Sequence, residues 1–231
     1  MFTKGIILAA GLGTRMRPLT ERIPKPLIEV AGKPLVDWAV DLAADAGIAV
    51  LVVNTSYKAE MVEEHIACHN APNIIVSREA TPLETGGGIA NALALLGEQP
   101  FFAMNSDTIC TTGTENPLNR LYDAWDETKM DALLLLHPRT LAIGYGGQGD
   151  FFLNEDGSLK RRGGEADAPY VFTGVQLLHP RLFDDAPEGI FSMNILYNRN
   201  LSRVHGLVHD GDWLHVGDVS GLAKAEAFLS Q

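Results

Sequence analysis

The chain has 231 residues, with 18 Lys and Arg against 29 Asp and Glu, a net charge of −11 with His neutral. Its 46% hydrophobic and 20% charged content excludes a disordered chain, and the acidic balance speaks against non-specific nucleic-acid binding. The longest clean apolar run, Ile48 to Val53, is far short of a membrane span, and Cys68 and Cys110 cannot build a disulfide framework, so no membrane partner and a cytoplasmic setting are expected.

Strand-like and helix-like segments alternate. Gly5 to Ala10 suits a buried strand. Pro34 to Ala46 reads as a helix, with Leu35, Trp38, Leu42 and Ala46 on one face and Gly47 as its cap. Ile48 to Val53 is the next strand, Tyr57 to His69 a helix, and Asn73 to Val76 a third strand. A helix over Thr85 to Leu96, a strand over Pro100 to Met104, a helix around Asn119 to Trp125 and a strand over Ala132 to Leu136 follow. This order predicts a parallel sheet with helices on both faces. Seven of the 21 residues from Gly144 to Gly164 are glycine, which predicts turns and a hairpin centred on Asn154-Glu155-Asp156-Gly157. Tyr170 to Leu178 reads as a strand, Ser192 to Arg199 as a short helix and Val219 to Leu229 as a final helix.

In such sheets ligands sit beyond the carboxyl ends of the strands, which directs attention to the loops after the first and fourth strands. The first reads Ala10-Gly11-Leu12-Gly13-Thr14-Arg15-Met16-Arg17-Pro18-Leu19-Thr20, then Pro24-Lys25-Pro26. Glycines let backbone N–H groups approach a phosphate, Thr14 adds a hydroxyl, Arg15 can grip phosphate oxygens in a bidentate fashion, and Lys25 is an ammonium held between two prolines. Two bare glycines would equally suit a tight turn. The dinucleotide fingerprint fails at Met16, and the Gly-Lys-Ser/Thr of a P-loop is absent. The loop after the fourth strand is Met104-Asn105-Ser106-Asp107. A lone carboxylate there could serve Mg²⁺, which takes one or two protein carboxylates beside phosphate oxygens, or it could cap the next turn. Leu83-Glu84-Thr85-Gly86-Gly87-Gly88 could lay a flat base against the backbone or be a plain helix cap. His65 and His69 flank Cys68 at helical spacing, but no further ligand stands near them, and no zinc site is expected.

The whole first string resembles the signature of the sugar-1-phosphate nucleotidyltransferases, closely from Gly5 to about Ile109 and more weakly beyond. The short chain and the Leu83–Gly88 segment are most similar to the N-acetylmuramate-1-phosphate uridylyltransferases. The resemblance implies one Rossmann-like α/β domain over residues 1–231, with a mostly parallel sheet and a small C-terminal β-rich portion. Residues 1–110 would bind nucleotide and 111–231 sugar phosphate. It implies nucleotidyl transfer from a nucleoside triphosphate to a sugar 1-phosphate, most simply UTP and N-acetylmuramate 1-phosphate in cell-wall sugar recycling. A GTP-dependent mannose- or heptose-1-phosphate enzyme and a non-catalytic nucleotide-sugar sensor stay open, as does the oligomeric state. Arg15, Lys25 and Asp107 would be catalytic. Ala10, Gly11, Gly13, Thr14, Arg15, Lys25, Glu84, Thr85, Gly87, Gly88 and Asn105 would hold the nucleotide. Gly149, Arg161, Arg162, Thr173 and Gly174 would face the sugar phosphate, although the Glu-Lys-Pro of many hexose-phosphate members is missing around Arg161. The family's second metal-binding Asp falls at His215 in Trp213-Leu214-His215-Val216-Gly217-Asp218, so Mg²⁺ would be held by Asp107 with His215 or Asp218.

Overall fold

A computed structural model describes residues 2–230. Strand β1 (Lys4–Leu8) enters the glycine-rich loop, and a short hairpin of β2 (Glu29–Val30) and β3 (Lys33–Pro34) leads into helix α1 (Leu35–Asp45). Then come β4 (Val50–Thr55), α2 (Ala59–Ile66), β5 (Asn73–Arg78), α3 (Glu84–Leu96), β6 (Phe101–Asn105), β7 (Thr108–Cys110), α4 (Pro117–Ala124) and β8 (Ala132–Pro138). The remainder comprises β9 (Phe151–Leu153), β10 (Leu159–Arg161), β11 (Tyr170–Leu178), α5 (Met193–Arg199), β12 (Val204–Val208), β13 (Trp213–His215) and α6 (Val219–Leu229).

Among the described residues, nine strands form one sheet with the path β10-β9-β11-β6-β1-β4-β5, while β8 pairs with β11 and β12. Strands β1, β4, β5 and β6 are parallel, as the alternating pattern requires. Strand β11 lies antiparallel between β6 and β8, so the sheet is mostly parallel, as expected, and not parallel throughout. The reason is topological. A long connection carries β11 into the slot between β6 and β8, and a parallel neighbour would need a crossover connection, usually a helix. One sheet therefore runs through both residues 1–110 and residues 111–231.

Helices cover both faces. Val36 and Val40 of α1, Val62 and Ile66 of α2, and Leu118 and Leu121 of α4 pack with Ile7, Val53 and Met104 on one side. Ile89, Ala92 and Leu96 of α3 pack with Met193, Leu196 and Tyr197 of α5, against Ile6, Val52 and Ala103, on the other. A third cluster joins Met16, Ile28, Val30 and Leu35 to Ile109, Leu214, Val216 and Ala225. Met16 is fully buried there and pins the glycine-rich loop against C-terminal elements. No helix among the described residues is long and apolar enough to cross a membrane.

Candidate active site

The loop after β1 has a fixed shape. Gly13 adopts φ 59°, and a Cβ there would stand 2.8 Å from Thr20 Cγ2 and 3.0 Å from Lys25 Cβ, so only glycine fits. Thr20 Oγ1 donates to the Gly13 carbonyl at 2.9 Å, and the Tyr57 hydroxyl donates to the Thr20 carbonyl at 2.9 Å. Thr14 and Arg15 lie in a single 3₁₀ turn, Thr14–Met16, whose buried residue is Met16, so both polar side chains stay exposed. Among the described residues Arg15 has no carboxylate within 4.0 Å.

Lys25 opens another short 3₁₀ turn, Lys25–Leu27, and is buried. Its Nζ donates to Asp107 Oδ2 at 2.6 Å. Asp107 follows β6, and its side chain is 26% exposed, enough to meet a ligand. Burial alone would raise the Asp107 carboxyl, but the Lys25 ammonium, with His215 and Arg15 behind it, holds it below the usual carboxylate range. Asp107 is therefore ionised at neutral pH.

These groups border a cleft of about 640 Å³, open mouth included, at the carboxyl edge of β1, β4 and β6. Ala10, Gly11, Lys25, Asn54, Glu84, Thr85, Asn105 and Asp107 line it. Asn54 and Glu79 are functional candidates that motif reasoning passed over. Both are buried; Asn54 accepts from the Ala9 N–H at 2.6 Å and donates to Glu79 Oε1 at 2.7 Å. Glu79 Oε2 in turn accepts from the Leu83 N–H at 2.9 Å, so one chain of bonds spans both loops of the cleft. The signal available was position: Asn54 stands at the carboxyl end of the second strand, where the same edge rule applies.

The triple glycine falls in the first turns of α3, which begins at Glu84, one residue before the expected Thr85. The Gly86 and Gly87 N–H groups both donate to the Phe191 carbonyl, at 2.9 and 3.0 Å. A Cβ on Gly88 would meet Asn54 Nδ2 at 2.6 Å. Glycines 86–88 are buried packing positions: the Gly87 N–H expected to read a base edge is bonded to Phe191, and neither Gly87 nor Gly88 is among the residues that line the cleft. Glu84, at φ 60°, and Thr85 do line it.

The ladder of β7 and β13 sets His215 opposite Thr108, and the Val216 N–H donates to the Asp107 carbonyl at 2.9 Å. His215 stacks on Trp213 with ring centroids 5.7 Å apart and planes at 17°. Burial pushes its imidazole below the usual histidine value despite Asp107, so it is neutral near pH 7 and able to ligate a metal. Asp218 is the N-cap of α6, accepting from the Gly221 N–H at 2.8 Å. Asp107, His215 and Asp218 do not converge as a tight three-ligand cage. The Asp107 oxygen not held by Lys25, with one imidazole and open positions, still fits an ion that keeps waters and shares phosphate oxygens.

The sugar-side candidates fall into two groups. Gly149 adopts φ 77°; its N–H donates to the Tyr145 hydroxyl at 3.2 Å, and its carbonyl accepts from Arg162 Nε at 3.2 Å. Tyr145 meets His215 edge-on at 5.9 Å, which joins this segment to the Asp107 side. Gly174, at φ 89°, is where β11 shifts register, and its missing Cβ makes room for the Asn105 side chain. Arg161 points elsewhere, lying over Phe151 and donating to Asn194 Oδ1 and Asn198 Oδ1, each at 2.9 Å. The Thr173 side chain is fully buried and donates to the Leu135 carbonyl at 2.9 Å, so its expected contact with sugar is corrected to a bond inside the sheet.

Residues 4–147 match the family model described as nucleotidyl transferase. The chain is 42% identical, over 98% of its length and 96% of the relative's, to an N-acetylmuramate alpha-1-phosphate uridylyltransferase of Caulobacter vibrioides. It is 34% identical to the protein of the same description in Neisseria meningitidis, with 97% of each chain covered. In fold it resembles a UDP-glucose pyrophosphorylase solved with UDP-glucose, at a TM-score of 0.79 and 21% identity, covering 100% of this chain and 99% of that one. The glycine loop, the Lys25–Asp107 pair and these likenesses agree: the chain belongs to the nucleotidyl transferase family and is an enzyme of that class.

Proposed function

We propose that the enzyme transfers a uridylyl group from UTP to N-acetylmuramate 1-phosphate, forming the UDP-sugar and pyrophosphate. The reading is carried by the likeness to the Caulobacter uridylyltransferase along nearly the whole chain. The reaction type is supported by Lys25 and Asp107 lining one cleft, with the Arg15 guanidinium near enough for its charge to act on Asp107.

A phosphate oxygen of the sugar phosphate attacks the α-phosphorus in line. The new P–O bond forms as the bond to the bridging oxygen of pyrophosphate breaks, and that oxygen keeps the electron pair. No covalent bond to the chain is needed, so catalysis is positioning and charge stabilisation. The Gly11–Thr14 backbone and Arg15 hold the leaving phosphates, and Lys25 turns its ammonium to the α-phosphate. Ala10, Asn54, Glu84, Thr85 and Asn105 frame the nucleoside. The Tyr145–Gly149–Arg162 side of residues 111–231 receives the sugar phosphate. Enzymes of this family generally use a divalent metal ion. Mg²⁺ bound by Asp107 and His215 would offset the charge of the phosphates, while Asp218 stays a helix cap. The reaction would run in the cytoplasm, in keeping with two free thiols.

The test is pyrophosphate release, crossing UTP, GTP, CTP, ATP and dTTP with a panel of sugar 1-phosphates that includes N-acetylmuramate 1-phosphate. The highest kcat/KM is expected for UTP with that sugar. Preference for GTP with mannose or heptose 1-phosphate would replace the substrate assignment. Silence across the panel with Mg²⁺ and Mn²⁺, in folded protein, would reduce the chain to a nucleotide-sugar sensor.

A further inference from the structure

Outside the cleft, three ligand-type side chains meet on the helical face that carries α1 and α2. His65 stands in the last turn of α2, His69 just beyond it, and Asp37 in the first turn of α1. Sequence spacing joins only the two histidines; packing supplies the carboxylate, because Val36 and Val40 of α1 and Val62 and Ile66 of α2 share one apolar cluster. His65 Nε2 lies 2.8 Å and His69 Nε2 3.0 Å from the same oxygen, Asp37 Oδ1. The three ligand atoms lie within 4.8 Å of one another, and among the described residues no other group of three His, Cys, Asp or Glu does so.

We infer that Asp37, His65 and His69 form a second metal site, for a Zn²⁺-class transition ion, that clips α1 to α2. Two imidazole nitrogens and one carboxylate oxygen suit Zn²⁺, Co²⁺ or Ni²⁺ and not the oxygen-seeking Mg²⁺. Zn–N bonds of about 2.0–2.1 Å place tetrahedral ligands roughly 3.3 Å apart, and both nitrogen–oxygen distances, 2.8 and 3.0 Å, are already close to that spacing. Side-chain exposures of 32% for His65, 21% for His69 and 16% for Asp37 leave an open side for water as the fourth ligand. Each neutral ring binds through Nε2 and carries its proton on Nδ1. None of the three residues lines the catalytic cleft.

The experiment uses the full chain, stripped by a chelator and returned to buffer with excess Mg²⁺ to occupy oxygen sites. Zn²⁺ titration should show one ion per chain, and Co²⁺ should give the visible absorption of a four-coordinate site. His65→Gln, His69→Gln and Asp37→Asn should each weaken Zn²⁺ binding by at least about tenfold, leaving pyrophosphate release with Mg²⁺ unchanged. Asp107→Asn should leave Zn²⁺ binding intact. Zn²⁺ should also raise the Tm of the wild type and not that of the histidine variants. Absence of stoichiometric Zn²⁺ in the wild type would overturn the site and leave a hydrogen-bonded staple between the helices. So would Zn²⁺ that survives both histidine substitutions and is lost with Asp107→Asn. Should a variant misfold, histidine NMR of the wild type decides: Zn²⁺ must shift His65 and His69 and spare His137 and His209.

Discussion

Two glycine-rich segments border the cleft, and they use glycine for opposite ends. In the loop after β1, Gly11 is exposed, a Cβ there would have nothing within 4 Å, and the backbone stays open to a ligand. In the first turn of α3, Gly86, Gly87 and Gly88 are buried; a Cβ on Gly86 would lie 2.4 Å from the Phe191 ring and one on Gly87 2.3 Å from the Gly189 carbonyl. The first segment offers free donors beside Arg15 and Lys25. The second has given two donors to Phe191 so that α3 can dock on the segment before α5. Similar composition thus builds an open backbone surface in one place and a packing joint in the other. The residues of the second segment that line the cleft are its non-glycines, Glu84 and Thr85.

Substitutions can break this contrast. Lys25→Ala, in the open loop's extension, should lower kcat by about 10²-fold or more, because a preorganised charged donor is lost from the transition state. Turnover within threefold of wild type would remove Lys25 from the chemistry. Gly86→Ala should cost about 1–3 kcal/mol of stability by overpacking against Phe191, visible as a lower Tm. An unchanged Tm would show that the joint is loose. Gly11→Ala should do the reverse: stability within about 0.5 kcal/mol of wild type, but kcat/KM down by about tenfold as a methyl group enters the phosphate path. Loss of stability together with activity would erase the distinction between the two segments.

The smallest effect concerns pH, and it lies away from both segments. Burial lowers the pKa of His137 and His209, so both fold neutral. A depressed histidine contributes stability above its unfolded value of about 6.5 and loses it as pH falls through the folded value. Tm should therefore decline as pH drops below about 6.5, and His209→Gln should flatten part of that slope. A wild-type Tm that stays level down to about pH 5 would contradict the burial argument.

Much of the cleft was legible along the chain because its chemistry is local. Strand β1, the Gly-x-Gly-Thr-Arg string and the Pro-flanked Lys25 lie within 23 residues, Lys4 to Pro26, and the apolar period of each strand and helix marks where the loops fall. Position after β6 likewise singles out Asp107. Asn54 and Glu79 were not legible as a pair, because a single Asn or Glu carries no motif and their bond crosses 25 residues. Nor could the sequence show that the Gly86 and Gly87 donors were taken, since their acceptor, Phe191, lies more than 100 residues on.

By itself the sequence determined the alternation of elements, the placement of β11 and α6, and the phosphate-type loop, all of which follow from periodicity and turn chemistry within short windows. Only the tertiary structure decided the antiparallel seat of β11, the pairing of Lys25 with Asp107, the release of Asp218 to cap α6, and the meeting of Asp37 with His65 and His69. Each of those depends on which distant surfaces bury one another. That outcome is set by the summed packing of the whole sheet and its helices, and no short window contains it.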